Sequence, residues 1–301
     1  MSLFSFMGTL EIGFIFGLVA VGVYLTFRVL DFPDLTVDGS FTLGAALAAA
    51  LIISGVNPYI ATFCALLGGA VAGMVTAWLN LRFNILHLLA SILTMTALYT
   101  INLRVMGKPN LALITEPTVL SPFMSLGIPN MYLKVIFVGL VVVAVGLLVA
   151  WFLNTQYGMA MRATGANPRM AQANGIVVNQ KIYAGLALSN GLVALAGALF
   201  AQTNGFADST MGIGTIVVGL AAVIVGESLF NSRSMLIIVL GCIVGSLLYR
   251  LAIAVALNAD FIGFTTSDLN LITAVLVGLA LILPQLRREW KARKAAKGDT
   301  V

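Results

Sequence analysis

The feature that most constrains this chain is the recurrence of apolar runs long enough to cross a bilayer. A membrane span needs about 20 mostly apolar residues. Such runs occupy residues 8–30, 40–55, 58–80, 85–106, 131–153, 183–204, 213–230, 235–257 and 269–286. They are continuous rather than one-sided stripes, so a large water-soluble core does not account for them. Charged residues make up 9% of the 301 and hydrophobic residues 60%, leaving too little charge to cover a water-facing surface. The surplus apolar surface must face lipid. The expected fold class is therefore all-α: one polytopic transmembrane helical bundle over residues 1–301, with about nine spans (eight to ten).

The short run at 40–55 follows Asp31-Phe-Pro-Asp-Leu-Thr-Val-Asp-Gly-Ser40. That polar stretch reads equally as a loop or as a broken helix entering the protein interior, where irregular backbone is tolerated away from lipid. The N-terminus lacks a positively charged segment, so the first run is expected to remain a membrane helix rather than a cleaved signal.

Basic residues set the orientation. The loop 154–182 carries Arg162, Arg169 and Lys181 and no acidic residue, which places it in the cytoplasm. Four spans later the tail at 287–301 carries six Lys or Arg and returns to the same side. Arg28, Arg82 and Arg233 also fall inside, while the loops with Asp208, Asp260 and Asp268 and the N-terminus fall outside. The net charge of +5 is thus an inside-positive pattern and not a nucleic-acid surface.

Residues 34–49 and 208–222 each place a small polar run before a Gly/Ala-rich helix, and in this topology the two helices run in opposite directions. Transporters use such inverted repeats to build a central site, although Gly/Ala richness alone also produces matches of this kind. Small residues four apart, Gly69–Gly73 and Gly241–Gly245, fit close helix packing in lipid. Polar residues near these segments, Thr36, Asp38, Ser40, Ser189, Asn190, Asn204 and Thr210, are candidate liners of a pathway. Ser189 and Asn190 read equally as interhelical hydrogen-bonding groups.

Catalytic and metal patterns are missing. There is no phosphate-binding GxxxxGK[ST] loop, no H-E-x-x-H and no nucleophile site. Cys64 and Cys242 are isolated in apolar runs, and His87 has no evident partner. Ionisable residues within the runs (Glu11, Arg104, Lys134, Glu227 and Arg250) sit near span edges, where such groups snorkel to the interface. The chain reads as a pathway without its own energy source. It could also be a stand-alone secondary transporter or channel. A membrane enzyme acting on lipid fits less well, since Asp31–Ser40 offers no base partner.

The loop from Gln156 to Ile176 carries the most specific signal. Asn167 before Pro168 is a helix start, residues 168–173 form about two turns, and Gly175 is placed to end them. Composition fits an amphipathic connector or a docking element for a soluble partner. Its Gly158, Ala160, Arg162, Ala163, Asn167, Ala171 and Gly175-Ile176 follow the pattern Gly-x-Ala-x-Arg-Ala, Asn-x-x-Ala-Ala, Gly-Ile, with Gln172 in place of the second Ala. In this the chain resembles permease subunits of the branched-chain amino-acid and ribose ABC-importer family. Asp34-Leu-Thr-Val-Asp-Gly-Ser-Phe is similar to a second family segment. Gly226-Glu-Ser-Leu-Phe-Asn-Ser is similar to a third, with Glu227 where a glycine is usual.

The resemblance implies a permease that dimerises, most simply with a second copy, in the bacterial inner membrane, with its C-terminus cytoplasmic. Separate ABC ATP-binding subunits carry ATP and Mg, this chain binds no cofactor, and an extracytoplasmic binding protein delivers the solute. Residues 156–176 would be the cytoplasmic coupling segment, with Gly158, Arg162, Ala163, Asn167, Pro168, Ala171 and Gly175 as its coupling residues. The implied solute is an amino acid, branched-chain or aromatic, with a sugar as the alternative.

Overall fold

The computed structural model describes residues 3–126, 129–230, 232, 234–257, 275 and 278. The described chain folds into α1 (Leu3–Tyr24), α2 (Thr36–Ile53), α3 (Pro58–Phe83), α4 (His87–Met106), α5 (Asn130–Asn154), α6 (Gln156–Ala166), α7 (Pro168–Ala173), α8 (Val178–Asn204), α9 (Thr215–Leu229) and α10 (Met235–Leu257). Two three-residue strands, β1 (Asn110–Ala112) and β2 (Phe206–Asp208), pair antiparallel at one end of the bundle. The all-α polytopic expectation holds. Among the described residues seven helices are long and apolar enough to cross a membrane. Apart from Val275 and Gly278, the span expected at 269–286 lies outside the described residues, as do the basic tail, Arg233, Asp260 and Asp268.

Two elements depart from simple spans. The run expected at 213–230 becomes α9, only 15 residues long, which rises about 22 Å and falls short of a hydrocarbon core about 30 Å thick. The run expected at 40–55 starts earlier, at Thr36, because the polar stretch before it supplies a helix start rather than a loop. Before it, α1 closes in a π turn over Leu25–Val29. There the Leu30 N–H donates to the Leu25 carbonyl at 3.1 Å and the Phe32 N–H to the Thr26 carbonyl at 2.9 Å. This widened turn and a left-handed Asp31 (φ +53°) redirect the chain into the bundle.

Contacts along the helices fix their directions. Gly22 of α1 lies against Ser189 and Val193 of α8, and Leu30 lies against Gly185, so α1 and α8 are antiparallel. Asp34 and Ser40 meet Asn190, while Gly44, further along α2, lies against Ala194, further along α8, so α2 starts halfway along α8 and runs with it. Gly219 of α9 meets Val19 and Val23, and Glu227 reaches Arg28, so α9 runs with α1. Helices α2 and α9 are therefore antiparallel, each starting inside the bundle. The packing repeats: α8 packs on α2 and α3, and α1 packs on α9 and α10. This is the inverted arrangement that the similarity of 34–49 to 208–222 suggests. Arg28 and Arg82 sit at the α6–α7 end, and β2 with Asp208 sits at the opposite end.

Glycine makes the close approaches possible. A Cβ on Gly44, Gly69 or Gly73 would strike backbone atoms of α8, and one on Gly226 or Gly245 would strike the backbone of α10 or α9. Lipid supplies no hydrophobic drive between helices, so this backbone proximity and its dispersion contacts hold the bundle. Arg250, expected at a span edge, instead lies inside, its guanidinium 4.0 Å from the Phe16 ring. Replacing Gly44 with Leu should separate α2 from α8 and cost more than the ~1–3 kcal/mol typical of overpacking. Gly8→Leu, where a Cβ meets open space, should be neutral. Thermal melting of the two variants in detergent checks this.

Candidate functional site

The site is built where the interrupted helices start. Asp34 is fully buried in the turn before α2. Its Oδ1 accepts the Thr36 N–H at 2.9 Å, an Asx-type start for the helix. Its Oδ2 accepts from Asn190 Nδ2 at 2.7 Å. Asn190 Oδ1 accepts from the Ser40 hydroxyl at 2.7 Å, and the Nδ2 also reaches the Leu186 carbonyl at 3.1 Å. One amide in the middle of α8 thus joins the turn, α2 and α8. Thr36 shares a 2.8 Å hydroxyl bond with Thr76 of α3, and Ser189 donates to the Gly22 carbonyl of α1 at 2.7 Å. All these side chains are buried; the Ser40–Asn190, Thr36–Thr76 and Ser189–Gly22 bonds cross between helices, and Asp34–Asn190 ties the turn before α2 to α8.

Asp38, one turn further along α2, caps the other broken helix. Its Oδ2 accepts the Gly214 N–H at 2.9 Å. Its Oδ1 accepts the Thr215 hydroxyl and the Ile216 N–H, each at 2.8 Å. Gly212 N–H donates to Thr42 Oγ1 at 3.1 Å. The first amides of a helix lack partners and carry its positive dipole end. Here a carboxylate from another helix satisfies them. Gly214 takes φ +84° to bring the chain in, and a Cβ on Gly212 would strike the Asp38 carbonyl. Both inward-starting helices carry a carboxylate of this chain at their N-termini, so their dipole ends are already neutralised.

The seven candidate pathway residues divide by place. Thr36, Ser40, Ser189 and Asn190 belong to the buried joint, and Asp38 is half-buried beside it. Asn204 and Thr210 lie exposed at the β1–β2 end. Asn204 donates to the Phe200 carbonyl at 3.0 Å. Thr210 donates to Asp208 from both its hydroxyl (2.6 Å) and its N–H (2.8 Å). These bonds hold the Asp208 carboxyl below its ordinary range.

At the other end the loop takes the form its residues specify. Asn167 caps α7, its Oδ1 accepting the Met170 N–H at 3.0 Å with Pro168 at the first position. Gly175, at φ +79°, closes it, and the Ile176 N–H returns to the Ala171 carbonyl at 3.0 Å. Ala171 is buried, and Arg169 and Met170 are exposed.

Sequence reasoning did not anticipate α6, whose start is signalled by Thr155, a cap whose hydroxyl accepts the Gly158 N–H at 3.3 Å. Gly158 packs on Phe152 and Leu153 of α5. Gly165 packs on the Val29 and Leu30 backbone at the π turn. Arg162 and Ala163 lie on α6 between these two contacts, Arg162 half-buried and Ala163 exposed. Asp34 and Thr76 were also missed as site residues. The Asp-x-Thr spacing before α2 was the available signal for the first.

A multi-pass bundle with paired, oppositely directed helices starting inside it defines the class as a membrane transport protein. The family model described as "Branched-chain amino acid transport system / permease component" matches residues 5–283, and the chain belongs to that family. It is 39% identical over 263 residues to a tyrosine transport system permease protein of Clostridioides difficile (strain R20291), covering 87% of this chain and 85% of that protein. It is 33% identical over 265 residues to the uncharacterized protein RP368 of Rickettsia prowazekii (strain Madrid E), covering 87% and 91%. In fold it is similar to PsaBC from Streptococcus pneumoniae in complex with Fab, with a TM-score of 0.52 and 16% identity over 93% of this chain and 91% of that one.

Replacing Asp38 with Ala leaves the first amides of α9 without their carboxylate and should cost about 1–2 kcal/mol, the scale of a lost cap. Asp38→Asn, which keeps one acceptor oxygen, should cost less. Melting temperatures ranked wild type, Asp38→Asn, Asp38→Ala would bear this out.

Proposed function

We propose that this chain forms the translocation path of an ATP-driven importer for a small solute, an amino acid of the branched-chain or aromatic kind. The observation that carries the reading is the contact of α6 with the π turn, at Gly165 against Val29 and Leu30. A force on the α6–α7 foot reaches Leu30, the turn at 30–35 and then Asp34–Asn190, where α2 and α8 are joined. The foot is thereby wired to the inward-starting helices without passing through lipid-facing surface.

In this reading α6–α7 faces the cytosol and docks on a separate ABC ATP-binding subunit, which carries ATP and Mg. A second copy of the permease completes the path, an extracytoplasmic binding protein delivers solute at the β1–β2 end, and the C-terminus is cytoplasmic in a bacterial inner membrane. Asp38, Asn204 and Thr210 touch the passing solute. Thr36, Ser40, Ser189 and Asn190 act by holding the joint. Gly158 seats the foot on α5, Asn167, Pro168, Ala171 and Gly175 shape it, and Arg162 and the exposed Ala163 lie on α6 as its coupling residues. The family description and the tyrosine permease relative support an amino acid over a sugar.

The test uses the permease co-reconstituted in liposomes with its ATP-binding subunit and binding protein. Arg162→Glu, or Ala171→Pro inside α7, should leave ATP hydrolysis running while ATP-driven uptake of labelled tyrosine or leucine falls at least tenfold. Full uptake by both variants would refute the coupling role. Uptake by the purified chain without ATP or an ATP-binding subunit would support a stand-alone transporter instead, and preference for ribose would overturn the amino-acid assignment.

A further inference from the structure

Helix α5 packs on α1, α6 and α10 but stands off from α3 and α8. The cleft left there has a volume of about 610 Å³ and is lined by α3, α5, α6 and α8. Its walls are apolar, from Leu66, Leu148, Phe152, Leu188 and Leu192 to Tyr157 at one end. In water such a cleft would collapse or recruit a protein partner. In a bilayer the surrounding solvent is acyl chain, and an apolar slot open to it is filled by that solvent.

Two features select the occupant. The first is depth. The lining on α8 runs from Ala184 to Leu195, about 17 Å at 1.5 Å per residue. One leaflet contributes half of a hydrocarbon core about 30 Å thick, so the slot is about one leaflet deep. The second is the charge at its mouth. Tyr157 lies at the α6 end, where its hydroxyl donates to the Gln180 carbonyl at 3.3 Å. Lys181 Nζ stands 3.2 Å from the centre of the Tyr157 ring. A tyrosine–lysine pair at the end of an apolar slot is an interfacial arrangement, with the ring in the boundary layer and the ammonium at headgroup level. The connecting segment 154–182 contains no acidic residue to compete for that ammonium.

We infer that this cleft is a lipid site that takes one acyl chain of an anionic phospholipid from the leaflet at the α6–α7 end, its phosphate held by Lys181. The bound chain fills the gap between α5 and α8, the two helices that flank the foot, and so completes the bundle around α6–α7. This inference rests on the membrane placement of the chain alone and stands whether or not the foot docks on an ATPase.

The experiment is native mass spectrometry of the full chain from detergent, titrated with phosphatidylglycerol or phosphatidylcholine of matched acyl length. The wild type should retain one phosphatidylglycerol per chain in preference to phosphatidylcholine. Leu188→Trp, which fills the slot, should abolish retention of either lipid. Lys181→Gln should keep retention but lower the preference for phosphatidylglycerol by about fivefold, the worth of one cationic residue near an anionic surface. Ala184→Phe, nearer the mouth, serves as the second filling variant should Leu188→Trp fail to give a monodisperse, folded protein. Equal lipid retention by the wild type and a folded filling variant would overturn the site. So would a wild-type dimer that the filling variants dissociate, because a second copy would then occupy the cleft.

Discussion

A carboxylate inside a membrane bundle is tolerated only where donors meet it on every side, and the bond between Asp34 and Asn190 meets that demand here. Asp34 cannot be shielded by water, because it is fully buried. Its two oxygens are matched by the Thr36 N–H and the Asn190 amide, and Asn190 is held in turn by Ser40 and the Leu186 carbonyl. The group therefore fixes three things together: where α2 begins, how deep along α8 it begins, and which face of α8 meets it. The glycine contacts at Gly44, Gly69 and Gly73 require that same register, since each brings a backbone within reach of α8 only if α2 and α3 sit at the depth Asn190 sets.

Asp38 extends the arrangement to the second half of the chain. It sits one turn past Asp34 and closes the start of α9, so the two inward-starting helices share a joint made of two carboxylates from one short segment. The far end of α9 is tied to α1 by the Arg28–Glu227 ion pair, which is largely exposed and so contributes little to stability. Helix α9 is thus held at the joint by the Asp38 cap and at the α6–α7 end by the backbone approach of Gly226 to Gly241 of α10.

Much of this was legible in the residues. Apolar runs located the long helices because lipid demands about 20 such residues in a row. The Asn167–Pro168 and Gly175 signals delimited α7, since caps and left-handed closures are local chemistry. The similarity of 34–49 to 208–222 pointed to paired, opposed helices, because each needs a polar start inside the protein. What could not be read was depth. The length of the apolar run at 213–230 resembles a full span, yet its first residues unwind where Asp38, some 176 positions away in sequence, takes over the capping. Which polar residues face a path and which bond to each other is likewise set by tertiary contacts. Ser189 and Asn190 are adjacent in the sequence, yet they bond to different helices. Arg250 read as an edge charge, because nothing local announces a Phe16 ring on another helix.

Exchanging the two members of the central pair tests the account most directly. Asn190→Asp alone places a second carboxylate against Asp34 and should lower the melting temperature sharply and abolish uptake. Asp34→Asn with Asn190→Asp restores one carboxylate and one amide, keeps an acceptor for the Thr36 N–H and one for the Ser40 hydroxyl, and should recover most of the melting temperature. If the double exchange is no more stable than Asn190→Asp alone, the two residues do not form the contact on which this bundle is built.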